Sequence, residues 1–232
     1  MEDMILYHGS RGGIEGEIKP ISRERCDFGK GFYMGTNPKQ AKAIVVEDSA
    51  PYFYKLNVKL SEIPEDRILK LEKSDWIYTV LANRKKLSEF NKLSLAHKIL
   101  KSINNYDIII GAIADDRMNE AMQRFSDYGL TDQGLIACLQ SVDYGYQVVA
   151  KSEYACSKIT ILEEKEIFGK EADELRKYTQ EKRLESRDIV KKNAALYQRK
   201  GYYLNEIIEQ EQKTYSFSQD VNVKQQGNEM EL

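Results

Sequence analysis

Two short stretches carry residue types that could do chemistry together. The first is Tyr7-His8-Gly9-Ser10. The apolar run from Met4 ends in a histidine, and the glycine after it leaves bare backbone beside the imidazole. Such a histidine can face a cleft; it can equally be satisfied within its own turn. The second is Asp27-Phe28-Gly29-Lys30-Gly31-Phe32-Tyr33, in which two glycines flank a lysine and two aromatics follow. It has neither the spacing of a phosphate-binding loop nor that of a dinucleotide-binding turn. Taken alone, it reads as a glycine hairpin leading into core aromatics.

The flanking pattern says which elements must position these stretches. Met4 to His8 reads as a buried strand and Gly31 to Met34 as a second one. Asn37-Pro38 is a helix start, with asparagine as cap and proline in the first turn, and Ala41 to Val46 continues it. Tyr52 to Leu60 alternates in the manner of a half-buried strand. Helices are expected from Ser74 through Leu87, from Leu93 to Ile103, after Asp115, and from Thr131 through Leu139. Tyr106 to Ala112 is a β-branched central strand; Tyr146 to Ala150 and Lys158 to Leu162 are closing strands. All four prolines and half of the 14 glycines fall in the N-terminal third, which makes it the region of tight turns. Strands do not alternate regularly with helices, so the order reads as α+β.

Composition narrows the function classes. The 232 residues hold 35 Lys plus Arg against 37 Asp plus Glu, a net charge of −2. That balance excludes a general basic coat for nucleic acid and a polyacidic tail protein, while a local basic groove stays open. Lys85, Lys86, Lys92, Lys98 and Lys101 read as a solvated helical face, and His97 among them takes no role. The longest nearly apolar run, Ile108 to Ala114, is far too short to span a bilayer. The acidic start Met1-Glu2-Asp3 has no secretory character. Three cysteines without CxxC spacing fit a reduced cytoplasm, with no disulfide framework and no thiolate zinc site. Two histidines exclude a histidine-rich metal centre, so no metal is expected. From residue 164 to 212 charged residues dominate and proline is absent, the mark of an extended charged helical extension. Residues 213–232 are rich in Gln, Ser and Asn and read as a disordered tail.

In combination, His8-Gly9-Ser10 and Gly29-Lys30-Gly31-Phe32-Tyr33 resemble the ADP-ribosyltransferase superfamily, in particular its poly-ADP-ribose-polymerase-like branch. The chain more closely resembles a bacterial family of unknown function assigned to that superfamily. It shares the opening strand, the Asp-Phe-Gly-Lys-Gly-Phe-Tyr block and an Ile-Ala-Asp-Asp block at residues 113 to 116. The resemblance covers residues 4 to 163 and implies a split β-sandwich with surrounding helices and a cleft for NAD between two sheets.

The resemblance also implies roles. NAD would be the co-substrate, cleaved through an oxocarbenium-like transition state. His8 would bond the adenosine-side ribose, the Gly9 backbone the nicotinamide carboxamide, and Tyr33 would stack on the nicotinamide, a contact worth about 0.5–2 kcal/mol. Ser10, Lys30 and Gly31 complete the implied cofactor contacts, with Lys30 toward phosphate. The third motif, normally a glutamate on a late strand, falls on Gln147. A glutamine can bond a hydroxyl but is neither charged nor a base, which argues against chain-forming polymerase activity. Asp115, Asp116 and Glu153 are the carboxylates that could assist. Ile44 stands near a position where relatives can carry an aromatic that closes over the nicotinamide.

The expected activity is therefore mono-ADP-ribosyl transfer to a protein or nucleic-acid acceptor. The resemblance adds a toxin role with a small antitoxin or immunity partner, and no membrane partner. The competing readings are a non-catalytic NAD-binding module with the C-terminal helices as its partner surface, and an NAD glycohydrolase. An RNA phosphotransferase of the same fold is disfavoured by the tyrosine in the second motif.

Overall fold

The computed structural model describes residues 1–84, 94–113, 119–141 and 145–210. Asp115, Asp116, Lys85, Lys86, Lys92 and the tail over 213–232 lie outside the described residues. The described residues form a mixed α+β fold.

Its centre is a seven-stranded sheet in the order β4-β5-β6-β2-β1-β3-β7. The strands are β1 (Met4–Ser10), β2 (Phe32–Gly35), β3 (Tyr52–Val58), β4 (Ile68–Lys70), β5 (Ile108–Ala112), β6 (Tyr146–Ala150) and β7 (Ile159–Glu166). Only β4 and β5 run parallel; the other neighbours are antiparallel. The helices are α1 (Pro38–Ala43), α2 (Lys73–Arg84), α3 (Ser94–Ile103), α4 (Asn119–Ser126), α5 (Asp132–Gln140), the one-turn α6 (Glu153–Cys156) and α7 (Gly169–Leu196), followed by a helical stretch over 204–210.

Two separate sheets were expected, and the strands instead make one hydrogen-bonded sheet. Its middle is nearly divided. β1 and β3 pair along seven residues, but β1 and β2 share a single register pair, Tyr7 with Gly35. The two halves still share a core. Leu6, Tyr54, Leu56 and Val58 from one half pack with Phe32, Met34, Ile108, Val148 and Ala150 from the other. Alternate residues point away from that core. Ile109 and Val149 join Phe28, Trp76, Phe125 and Leu135 under the helices. On the other half, Phe53 joins Ala41, Val45 and Val46.

The local signals explain most boundaries. Asn37 accepts from the Lys39 and Gln40 amides and Pro38 opens α1, as its sequence predicts. The helix stops earlier than Val46: after Ala43 the Val45 amide bonds the Lys42 carbonyl three residues back, a tighter turn than the α-helix makes. Thr131 caps α5 through the Gly134 amide. β3 ends at Val58, where Leu60 enters a short 3-10 turn. β4 and α6 are additions that their few residues did not announce.

The charged C-terminal segment packs against the domain along its length. Ala172 and Leu175 at the start of α7 enter the cluster under β1 and β3, and Val190 near its end enters the cluster under β5 and β6. A 28-residue helix is about 42 Å long, enough to cross both halves of the sheet. Lys42 of α1 bonds Glu171 at 2.7 Å, and Lys39 lies over the Tyr178 ring. The exposed pairs along α7 contribute little by themselves, so burial carries the attachment. Leu175→Ala should therefore lower the unfolding free energy by about 2–4 kcal/mol, whereas Leu184→Ala, at a 62% exposed position, should change it by less than about 0.5 kcal/mol. Urea titration of both variants checks this.

Candidate functional site

The seam between β1 and β2 brings the first two sequence stretches together. Continuing the register beyond Tyr7 and Gly35 would set Gly9 opposite Tyr33. No ladder forms there. The His8 imidazole takes its place, with Nδ1 2.6 Å from the Tyr33 carbonyl oxygen. A carbonyl only accepts, so Nδ1 carries the proton and Nε2 of the neutral ring is an acceptor. Burial pushes the His8 pKa below its ordinary value of 6.5, partly offset by this bond, which keeps the ring neutral near pH 7. The ring packs 4.5 Å from Phe32, and Tyr54 lies beyond at 6.2 Å. Among the described residues Nε2 has no protein partner.

Gly9 is required by packing. A Cβ there would stand 2.2 Å from the Ala41 carbonyl oxygen and 3.1 Å from both Val45 methyls, so α1 can lie on β1 only because this residue has no side chain. Ser10 closes its own loop by donating to the Gly13 carbonyl at 2.8 Å. Ile44 is 56% exposed at the end of α1.

The Gly29-Lys30-Gly31 turn is held from several sides. Gly29 has φ of 74°, a conformation that favours glycine. The Tyr33 hydroxyl donates to the Gly29 carbonyl at 2.7 Å and accepts from the Phe28 amide at 2.9 Å. Burial drives its pKa well above the ordinary phenol range, so it stays protonated. Lys151 donates to the Phe28 carbonyl, and burial lowers its pKa to about 8. The Ser22 hydroxyl accepts from the Gly31 amide at 3.0 Å. Gly31 abuts Val149 and the Ala150 carbonyl of β6, while Lys30 between the glycines is exposed.

Gln147 lies on β6 beside β2. It pairs with Gly35, as Val149 pairs with Tyr33, so Gln147 and Tyr33 share one face of the sheet. His8 has the parity of Leu6 and packs toward the shared core. His8 and Tyr33 are thus joined at the seam, and Gln147 flanks it from the Tyr33 side without touching His8. Gln147 is buried, and its Nε2 donates to Asp27 Oδ2 at 2.9 Å and to the Ala112 carbonyl at 2.9 Å. Asp27 Oδ1 is held by Arg84 Nε and Nη2, each at 2.7 Å. Trp76 Nε1 also donates to the Ala112 carbonyl, at 2.7 Å.

This chain of contacts explains why the position is an amide. Both neighbours of Nε2 are acceptors, which also fixes the orientation of the carboxamide. A glutamate would set a carboxylate against Asp27 and a carbonyl. Asp27 and Arg84 were invisible as a pair in the sequence, because 57 residues separate them. Gln40, in the first turns of α1, was also missed; its Oε1 lies 3.7 Å from where a Cβ of Gly35 would be. The one signal for it is the Asn37-Pro38 start, which fixes its helical position. Glu153 is exposed in α6, beyond the opposite end of β6 from Gln147. Tyr54 and Trp76 are core, and Tyr146 is 60% exposed. Among the described residues no cluster of His, Cys, Asp and Glu could hold a metal, the three cysteines are free thiols, and no helix is long and apolar enough to cross a membrane.

The family described as protein of unknown function (DUF3990) matches residues 4–161, more than half of the chain. No curated protein and no solved structure gives a match.

The contacts of Gln147 generate a sharp expectation. Gln147→Glu should destabilise the fold, because a carboxylate beside Asp27 disfavours ionisation and raises the pKa of the new group. A raised folded-state pKa gives stability that is present in acid and lost as pH rises. The melting temperature of Gln147→Glu should therefore approach that of the parent below about pH 4 and fall increasingly short of it toward neutrality. The Asp27→Asn/Gln147→Glu double variant, which returns a donor to the pair, should recover most of the loss. Melting curves of the parent, Gln147→Glu and the double variant across pH test this.

Proposed function

The chain belongs to the DUF3990 family, and we propose that it is an NAD⁺-dependent mono-ADP-ribosyltransferase whose cleft is the β1/β2 seam. The observation that carries this reading is the His8 imidazole standing where the ladder between β1 and β2 stops. A split in a sheet is a place where backbone amides and carbonyls have no strand partner and can meet a flat polar group instead. Continuing the register of Tyr7 and Gly35 would set Gly9 opposite Tyr33 across that split. These are the residues that the superfamily resemblance assigns to the carboxamide and the ring of nicotinamide.

The residues have distinct tasks in this reading. His8 Nε2 accepts from a ribose hydroxyl, and the Tyr33 carbonyl fixes the ring that presents it. Tyr33 spends its hydroxyl on the Gly29 turn, so it offers the substrate only its ring. Transfer breaks the bond between the ribose anomeric carbon and the nicotinamide nitrogen, whose electron pair leaves with nicotinamide. The acceptor nucleophile bonds that carbon and gives up its proton. Gln147 cannot take that proton. The acceptor must therefore be a good nucleophile already or be deprotonated by another group, which supports single transfer rather than chain growth. Orientation by the site, rather than charge, supplies the rate.

A second reading, a non-catalytic NAD-binding module, is favoured by one feature. The carboxylate that touches Gln147, Asp27, is occupied by Arg84, so among the described residues the charge beside the amide is already paired. The two readings separate by turnover.

Labelled NAD⁺ with a cell lysate, followed separately into protein and nucleic acid, is the direct test. The informative variant is His8→Asn, whose side-chain amide can still donate to the Tyr33 carbonyl while the Nε2 acceptor is gone. It should keep its melting temperature within a few degrees and lose at least about 10-fold in transfer, the size of one lost hydrogen bond of about 1.4 kcal/mol. Binding without transfer or nicotinamide release in the parent would select the module. No binding would reject both readings. Because His8 titrates below 6.5, its acceptor is present at and above that pH and is lost in acid. NAD⁺ affinity should be flat from pH 6.5 to 8 and weaken below, as isothermal titration calorimetry can follow.

A further inference from the structure

We propose that the outer edge of β7 is a docking site for an extended, basic segment of a partner protein, which adds a strand antiparallel to β7. β7 is an edge of the sheet and pairs only with β3. Its eight residues exceed the usual strand length of about 5–6, and all but Ile159 are exposed. Two bonds beyond the ends of the ladder fix which backbone groups point outward. The Lys59 amide donates to the Lys158 carbonyl at 3.0 Å, and the Ile167 amide to the Pro51 carbonyl at 2.8 Å. Bonded and unbonded pairs alternate along an antiparallel ladder. Counting inward from each end, Thr160, Glu163 and Lys165 turn their amides and carbonyls toward β3. Ile159, Ile161, Glu164 and Glu166 turn theirs away from it, and Leu162 is the extra residue of the bulge between. Among the described residues these outward amides and carbonyls have no hydrogen-bond partner. A row of such groups is a template for another strand.

The side chains select the occupant. The first half of β7 is apolar at its rim, with Ile161 39% and Leu162 53% exposed. The second half carries Glu163, Glu164 and Glu166 around Lys165. Lys165 is drawn back onto Glu171 of α7 at 2.6 Å, so the one cation of the strand does not guard the edge. Among the described residues none of the three glutamates is in an ion pair; Glu164 accepts from the Tyr54 hydroxyl at 3.1 Å. Opposite charges facing across a ladder stabilise it and like charges oppose it. The complement is therefore a strand with basic residues against Glu163–Glu166 and apolar ones against Ile161 and Leu162. Antiparallel pairing is the stronger mode, and it puts the basic residues first in the partner's sequence. A second copy of β7 is a poor complement, because it brings three more glutamates to the same ribbon and no free lysine. Two strands, β1 and β3, stand between this edge and the seam, so the site does not rest on the NAD⁺ reading.

The probe is the synthetic peptide Lys-Thr-Lys-Arg-Val-Thr-Val-Thr, and its control is the same residues in reverse order. Amide hydrogen exchange is followed by NMR in the nitrogen-labelled full chain. The peptide should slow exchange at Ile161 and Glu164 at least about 10-fold and leave Thr160 and Lys165, already bonded to β3, nearly unchanged. Two variants separate backbone from charge. Ile161→Pro removes one outward amide at a place where an edge strand tolerates proline. Glu163→Lys/Glu166→Lys reverses the charge and keeps the backbone, so it decides the matter if Ile161→Pro fails to fold. Each should melt within a few degrees of the parent and bind the labelled peptide at least about 10-fold more weakly in anisotropy titrations. Peptide binding without slowed exchange at Ile161 and Glu164 overturns strand addition. Equal binding of the reversed peptide overturns the register, and no binding at about 1 mM peptide overturns the site. A parent that sediments as a dimer with those same amides already protected makes the occupant a second copy and overturns the partner.

Discussion

The structure turns on one broken ladder. β1 and β2 meet at a single register pair and then part, and the cost of parting is a backbone carbonyl without a strand partner. His8 meets that cost through Nδ1 at the Tyr33 oxygen. One contact thereby does two things. It lets the sheet open without leaving the Tyr33 carbonyl unpaired, and it fixes Nε2 as the acceptor nitrogen of the imidazole. A side chain that only donated would keep the seam and lose the acceptor. An apolar one would lose both.

Holding a sheet open requires support on each side of the opening. On the β1 side, α1 lies so close that Gly9 cannot carry a side chain, and Ala41, Val45 and Phe53 bury the contact. On the β2 side, the glycine turn is pinned by the Tyr33 hydroxyl and Lys151, and Asp27 at its start is cross-linked to β6 and α2 through Gln147 and Arg84. α7 then spans the two halves, with Leu175 under one and Val190 under the other. Each of these contacts joins residues far apart in the chain. The opening is thus a property of the whole domain, and rigidity at a site of this kind is what orientation-based chemistry needs.

The same distances decide what could be read from the residues alone. The strand at Tyr146–Ala150 and the capped start of α1 were legible, because their signals are local: alternation in one, Asn37 and Pro38 in the other. The two stretches at His8 and Tyr33 were legible as a pair, and the fold does join them. The single sheet was not legible, since one register pair between β1 and β2 has no signature in either strand. Nor were Asp27 and Arg84. Their importance lies in partners that only the folded chain reveals. The reading of Gly9 as open backbone was incomplete for a similar reason: its missing Cβ is used by α1.

The charge pattern at the seam limits what chemistry it can support. The polar groups named at the seam are neutral: the His8 imidazole on one face of the sheet, and the Tyr33 phenol and the Gln147 amide on the other. Among the described residues the carboxylate that touches Gln147, Asp27, carries an arginine on its other oxygen. A cationic centre developing over Gln147 would meet a dipole where a glutamate would offer a full charge, and the Asp27–Arg84 pair behind it would nearly cancel at that range. Moving the carboxylate forward onto β6 is blocked by Asp27 itself, so the amide and the ion pair form one unit and must change together. Under the proposed transfer reading, Gln147 and the paired Asp27 leave deprotonation of the acceptor to another group.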